Sequence, residues 1–350
     1  MISFYPGPSR LYPQVKAYLK DAYDEGVMSI NHRSEEFMAI SRKTVALLKE
    51  KLNIPEDYSV CFVSSATECW EIIAQSLVRE KSMHVYNGAF GKKWFDYSSR
   101  IKPGAAPYPY EAQEKLVHDY RVWDSADVIC LTQNETSNGT EISNRLMHAI
   151  RRRYSGLIAV DATSSMGGVY LDFHTADVWF ASVQKCFGLP AGLALMIYSP
   201  AALEQAREIN DRSRYNSLLF LDEMMQRWQT PCTPNVLNIY LLMRVMEQRK
   251  SIIKVDAATR NRYRKWDAFF ESGEQLKHFI KNPSVRSKTV LTIEGSTDHI
   301  RSVKQQAREA GFLLGEGYGE LNESTLRIAN FPALRQNEIA RLMDFLSRHR

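Results

Sequence analysis

The sequence predicts an α/β protein: a mostly parallel sheet covered by helices on both faces, followed by a smaller α+β domain. Three observations predict it. From about residue 58 to 200, short continuous apolar runs alternate with stretches of helical period, the pattern of strands buried on both faces and joined by crossover helices. After about residue 250 the pattern becomes helix, strand, helix, strand, helix. The chain's 350 residues, 44% hydrophobic and 24% charged, suffice for one large and one smaller core. The expected division is 16–250 for the large domain and 251–350 for the small one, with 1–15 as an N-terminal segment.

The elements follow in order. "YSVCFVSS" (58–65) reads as a strand and "TECWEIIAQSLVRE" (67–80) as a helix. "MHVYN" (83–87) and "DVICLTQN" (127–134) are strands, and "RLMHAIRRRY" (145–154) is helical. "GLIAVDA" (156–162), "DVWFASV" (177–183) and "GLALMIYS" (192–199) are three more strands. A helical run over 235–254 closes the large domain. Then come a helix in 259–273, a strand in 288–295, a helix in 299–312, a strand in 324–331 and a final helix in 335–349. No internal repeat or low-complexity tract interrupts them.

Composition narrows the function classes. No run of 18 apolar residues is present, so no membrane span is expected. The first residues lack a basic stretch leading into an apolar one, and a cytoplasmic protein without a signal peptide is expected. Five widely spaced cysteines without a CxxC pair speak against a disulfide framework, and no metal site is expected. The net charge of +5 is spread along the chain. "RRR" at 151–153, without interleaved aromatics, reads as a solvated helix end rather than a nucleic-acid surface. A mild positive field suits small anionic ligands.

The chemistry sits just past the strands, where open α/β sheets bind ligands. Ser64, Ser65, Ala66 and Thr67 lie between a strand and a helix start. Ser65 with Glu68 fits a capping box, and the free N–H groups of such a turn make a phosphate cup. The later "GEGYGE" lacks the spacing and position of a nucleotide fingerprint. Phe90 follows a Gly-Ala turn, Asn134 and Thr136 occupy a polar loop, and Asp161 ends an apolar run. One strand further, "ASVQKCFGLPAGLALMIYS" (181–199) places Lys185 ahead of Gly188, Pro190 and Gly192. Each residue alone is an ordinary cap, core or turn residue. Their order at successive strand ends fits pyridoxal 5'-phosphate. That cofactor needs a lysine for its Schiff base, a carboxylate beside the pyridine nitrogen, a phosphate cup, a flat aromatic and a hydrogen bond to the ring hydroxyl. Asp161 would keep the ring nitrogen protonated. Lys185, its pKa lowered by desolvation, would serve as the base and acid of proton transfer.

With "VDATSS" ahead of "SVQKCFGLPAGLALM", the sequence resembles the class V, fold type I, pyridoxal-phosphate aminotransferases. "FYPGPSRLYPQV", "NHRSEEF", "NGAFGKKW", "QNETSNG", "QTPCTPN" and "STLRIANF" are each similar to a segment of that family, so the likeness covers nearly the whole chain. It implies a seven-stranded, mostly parallel sheet sandwiched by helices, with residues 1–15 lining the active site. Lys185 would carry the Schiff base and Asp161 would pair with the ring nitrogen. Phe90 would stack on the ring, Thr136 bond its hydroxyl, Ala66 and Thr67 hold the phosphate, and Gln184 assist beside the lysine. Gln229 and Thr230 would reach the phosphate of a neighbouring subunit, which implies a homodimer with shared sites. His32, Arg33 and Arg327 would hold substrate anions. The implied activity is transamination between a small amino acid and a 2-oxo acid, phosphoserine with 2-oxoglutarate first. Family members of that type usually carry a second His-Arg pair before the C-terminal Arg strand. "GEGYGELNESTLR" has neither residue ahead of Arg327, and an alanine–glyoxylate or serine–pyruvate type is the alternative. A lyase or desulfurase and a silent binding protein on the same fold complete the set. Gln184, where such lyases carry His, counts against the former.

Overall fold

The computed structural model describes residues 1–116 and 123–349. Seven strands form the large sheet: β1 (Ser59–Val63), β2 (Ser82–Tyr86), β3 (Ala105–Pro109), β4 (Val128–Thr132), β5 (Leu157–Asp161), β6 (Val178–Ser182) and β7 (Ala194–Tyr198). Their spatial order is β1-β7-β6-β5-β4-β2-β3. Only β7 runs antiparallel, between β1 and β6. Strands β4 to β7 are buried at every position, which is why they read as unbroken apolar runs rather than alternating ones.

The register sets the site. Thr132 at the end of β4 pairs with Asp161 at the end of β5, and Asp161 pairs with Phe180 in β6. The chemistry-bearing residues are thereby aligned along one edge of the sheet. Phe180 and Trp179 are fully buried beneath them. Truncating such an aromatic to alanine costs roughly 3–5 kcal/mol, enough to loosen this edge.

Helices cover the sheet: α1 (Val15–Asp24), α2 (Glu35–Leu52), α3 (Ala66–Ser76), α4 (Ala89–Ile101), α5 (Asn144–Arg153), α6 (Pro200–Ile209), α7 (Leu218–Met225) and α8 (Val236–Gln248). Their starts are chemically marked. Ser34, Ser65, Ser143, Ser199 and Ser217 each accept a backbone N–H at the head of α2, α3, α5, α6 and α7. One hydrophobic cluster runs from Val15 to Ile252.

The long α9 (Ile252–Glu271) leads into a second sheet of β8 (Lys277–His278), β9 (Val290–Glu294), β10 (Gly315–Glu316) and β11 (Thr325–Ala329), ordered β8-β9-β11-β10 and antiparallel. Helices α10 (Thr297–Glu309) and α11 (Gln336–Leu346) complete it. The second hydrophobic cluster joins residues from Trp266 to Leu346 with Phe4 and Cys186. Ile2–Ser3 pairs with Phe312–Leu313, so the N-terminal segment is tied to the C-terminal half before it crosses the site.

Two readings change in detail. The helical run over 235–254 is two helices, because Arg249 is extended and Ser251 starts a new N-terminus. Strand β3 was not foreseen: its "AAPYP" carries prolines at 107 and 109, which suit only a sheet edge, where it lies.

Candidate active site

Lys185, Asp161, Phe90, Thr136, Ala66, Thr67, Gln184 and Arg327 all line one cavity of about 760 Å³, between the strand ends of the large sheet and the second sheet. Lys185 and Asp161, 24 residues apart in the chain, therefore open onto the same space.

Lys185 lies past β6, and its ammonium group is held by two hydroxyls. It donates to Thr136 Oγ1 at 2.8 Å and to Ser164 Oγ at 2.9 Å, and those two hydroxyls also bond each other. Burial pushes the amine down to about 8, against the pull of Asp161 and then Glu135. The amine also sits 5.2 Å from the Phe90 ring centroid. Gly7, at φ +150°, packs on the lysine stem. A Cβ there would lie 2.8 Å from Lys185 Cε. Only glycine gives the stem this passage.

Asp161 accepts the Thr163 N–H at 2.9 Å. Burial raises its pKa, opposed by Thr163 and then by Lys185. The Trp70 indole and the Thr163 side chain stand beside the carboxyl and, like the Thr163 N–H, favour its charged form.

The phosphate-cup residues are arranged differently from the expectation. Ser65 caps Glu68 N–H at 3.1 Å, and Glu68 turns back onto Ser64, taking its N–H at 2.7 Å and its hydroxyl at 2.6 Å. This is a box closed one residue early. The Ala66 N–H donates to Ser182 Oγ at 3.0 Å, so Ser182 shares the cup. Thr67 is the second residue of α3 and has no carbonyl one turn back within the helix. Phe90 follows Gly88 and Ala89 into the first turn of α4, where Phe90 and Gly91 donate to Glu135 Oε2 at 3.2 and 3.1 Å. Glu135 thus satisfies that helix end and fixes the aromatic.

Arg327, from β11, is buried. It donates to the Glu316 carbonyl at 2.6 Å and to the Thr136 carbonyl at 2.9 Å. Among the described residues no carboxylate lies within ion-pair distance of it, and burial lowers its pKa. A buried guanidinium without a counter-charge is costly unless a ligand supplies one.

Four expected residues lie elsewhere within the chain. Arg33 Nη1 donates to Gln229 Oε1 at 2.8 Å, His32 Nδ1 is 3.4 Å from Thr233 Oγ1, and Thr230 Oγ1 donates to the Cys232 carbonyl at 2.8 Å. None of these lines the Lys185 cavity. The structure gathers His32, Arg33, Gln229 and Thr230 into a second group.

Other residues of the site were not foreseen: Ser182, Trp70, Tyr318 and Lys93 line the cavity, and Ser164 holds the Lys185 amine from behind it. Tyr318 packs on Phe90 at 5.2 Å between centroids, and Lys93 Nζ donates to Tyr318 Oη at 2.5 Å. Tyr318 belongs to "GEGYGE", where the glycines drew notice and the aromatic did not. Ser164 sits in "VDATSS", with no periodicity to mark it.

A family model for aminotransferase class-V matches residues 110–317, more than half of the chain. The chain belongs to the class-V aminotransferase family. A phosphoserine aminotransferase from Rhodococcus opacus is 29% identical over 360 residues, covering 96% of this chain and 91% of that protein. The crystal structure of a phosphoserine aminotransferase from Cytophaga hutchinsonii is 32% identical, covers 99% of this chain and 98% of the other, and superposes with a TM-score of 0.93. An alanine–glyoxylate aminotransferase from Nostoc is 18% identical, with 99% and 94% coverage and a TM-score of 0.82, a likeness of fold alone. The fold is that of the fold type I aminotransferases. Among the described residues no helix is long and apolar enough to cross a membrane.

Class-V aminotransferases work with pyridoxal 5'-phosphate, and the cavity suits that group. It offers an amine, a carboxylate, an aromatic face and a helix start. Gln184 Oε1, Thr132 Oγ1 and Asn134 Oδ1 line it and are buried without a hydrogen-bond partner among the described residues. Such orphaned groups fit a polar ligand.

Proposed function

We propose that the chain is a phosphoserine:2-oxoglutarate aminotransferase. The observation that carries the reading is the single cavity that joins Lys185 and Asp161 to the unpaired, buried Arg327. Lys185 would hold the cofactor's aldehyde, Asp161 its ring nitrogen, Phe90 its ring face, and Ala66, Thr67, Ser182 and Gln184 its phosphate end. When bound, the cofactor supplies a carbonyl for the amino group and an electron-withdrawing ring.

The chain's own residues do the rest. An amine near 8 is still mostly protonated around physiological pH but, unlike an ordinary lysine, keeps an appreciable neutral fraction, so Lys185 Nζ can take and return a proton, and the Thr136 and Ser164 hydroxyls fix where it stands. Asp161, buried and held by the Thr163 N–H, would place its carboxyl group against the cofactor's ring nitrogen. Arg327 would grip the carboxylate shared by both substrates in two-pronged fashion. Lys93, Lys185 and Arg327 are the cationic side chains lining the cavity, and Asp161 is its acidic one. That balance suits substrates with two or more negative charges. Lys93 would supply a cation toward the phosphate that the missing His-Arg pair does not.

The second group of residues supports a homodimer. His32, Arg33, Gln229 and Thr230 would complete the partner's cavity, the His-Arg pair toward its substrate and the Gln-Thr pair toward its cofactor phosphate. On this reading residues 16–250 carry the cofactor, 251–350 carry Arg327, and 1–15 cross between them. Burial pushes the Cys186 thiol up to about 12, which removes it as a nucleophile for desulfurase chemistry.

Single-turnover half-reactions on the cofactor-loaded protein test the proposal. Phosphoserine and glutamate should convert the cofactor form far faster than serine or alanine. Faster conversion by alanine or serine, with glyoxylate or pyruvate as acceptor, would replace it with the alanine–glyoxylate or serine–pyruvate type.

A further inference from the structure

A second cavity, of about 440 Å³, lies where α8 ends, α9 begins and the N-terminal segment passes, with Pro332 of the second sheet's domain at its rim. Arg249, Lys250, Lys254 and Arg262 line it, and no aspartate or glutamate does. Arg249 is 7% exposed. Its Nη1 makes two long contacts, to Tyr12 Oη at 3.3 Å and to the Cys186 carbonyl at 3.4 Å. Its Nε and Nη2 have no hydrogen-bond partner among the described residues. Arg262 is equally buried and bonds only neutral oxygens, on Asn330 and Thr259.

The backbone adds to this charge. Helix α9 is 20 residues long, its first turn holds no acid, and its N-cap Ser251 makes no side-chain cap. Lys254, in that first turn, faces the helix's positive end. Three like contributions therefore converge: two buried guanidinium groups, two lysines and a bare helix N-terminus. Each raises the cost of the others, and the buried Nε and Nη2 of Arg249 have no hydrogen-bond partner among the described residues. A bound oxyanion removes both penalties at once.

We infer that this cavity is a binding site for a small phosphate-bearing molecule, separate from the Lys185 cavity. Its volume falls in the range of small-molecule pockets, roughly 300–1,000 Å³, and Val245, Val255 and Pro332 offer an apolar wall beyond the cations. The site borders the active centre through the chain itself: Arg249 reaches the carbonyl of the residue after Lys185, and Tyr12 N–H bonds the Gly188 carbonyl at 3.0 Å.

The test titrates inorganic phosphate, and in a parallel arm citrate, into cofactor-loaded protein at constant ionic strength, with the shift in Tm as readout. Four proteins are compared: wild type, Arg327→Gln, Arg249→Met and the surface double variant Lys250→Ala/Lys254→Ala, which spares the buried core should Arg249→Met fail to fold. The expected result is a saturable rise in Tm with phosphate that persists in Arg327→Gln. In the lysine double variant half-saturation should move up by about tenfold or more, the size of a lost charge-assisted contact. The absence of a saturable response in the wild type would overturn the inference. So would a response lost in Arg327→Gln and unchanged in the double variant, which assigns the phosphate to the active site. Tighter saturation by citrate through the same lysines would overturn the phosphate assignment.

Discussion

Replacing Lys185 by methionine preserves the length and apolar stem of the side chain and removes the ammonium. In the native chain the amine titrates near 8, and in the unfolded chain near its ordinary 10.5. Between those values the unfolded state holds more protons than the native one, so stability rises with pH. Below them the native state bears the full cost of a buried charge, and above them that cost is gone. The gap corresponds to about 3 kcal/mol, at about 1.4 kcal/mol per pH unit. Lys185→Met lacks this dependence. The bonds from Lys185 to Thr136 and Ser164 are lost in the variant at every pH and enter mainly as an offset. In protein stripped of cofactor, urea unfolding at several values from about pH 7 to about pH 10 should show the wild type gaining roughly 2.5 kcal/mol relative to Lys185→Met. A difference that stays flat over that range would mean the amine is solvated and ordinary, and the desolvation argument would fail.

Other perturbations separate the remaining parts of the site. Arg327→Gln should lower kcat/KM for both amino donor and acceptor by about 100-fold, the loss of a two-pronged charge-assisted grip; steady-state kinetics with each substrate checks it, and an effect on one substrate only would contradict the shared-carboxylate role. Lys93→Met should raise KM for phosphoserine by about tenfold and leave KM for glutamate little changed, since only phosphoserine carries the phosphate that Lys93 is assigned. Gly7→Ala places a Cβ against the Lys185 stem at a positive φ; it should destabilise by about 1–3 kcal/mol and reduce covalent cofactor occupancy, read by denaturation and by absorbance.

The large sheet was legible because β4 to β7 are buried on both faces, and burial on both faces writes itself as unbroken apolar runs. Strand β3 was not, because an edge strand needs no such run and Pro107 and Pro109 mask it. Lys185 and Asp161 could be picked out because each ends an apolar run with a lone charge. Ser164, Ser182 and Trp70 could not: hydroxyls and an indole are common in caps and cores, and only the folded chain sets Ser182 and Trp70 on the cavity wall and Ser164 against the Lys185 amine. The placement of His32, Arg33, Gln229 and Thr230 away from their own chain's Lys185 depends on long-range packing, visible in the Arg33–Gln229 bond across 196 positions. The break at Arg249 was hidden because apolar spacing continues through it, and there the helical run gives way to a cationic cavity.

The most direct test of the account is chemical. Cofactor-loaded protein is treated with borohydride, which fixes any lysine-bound cofactor in place, then digested and mapped by mass spectrometry. The account predicts a single modified peptide carrying the label on Lys185, lost in Asp161→Ala or much reduced there. Label on Lys93 or another lysine, with Lys185 unmodified, would contradict it.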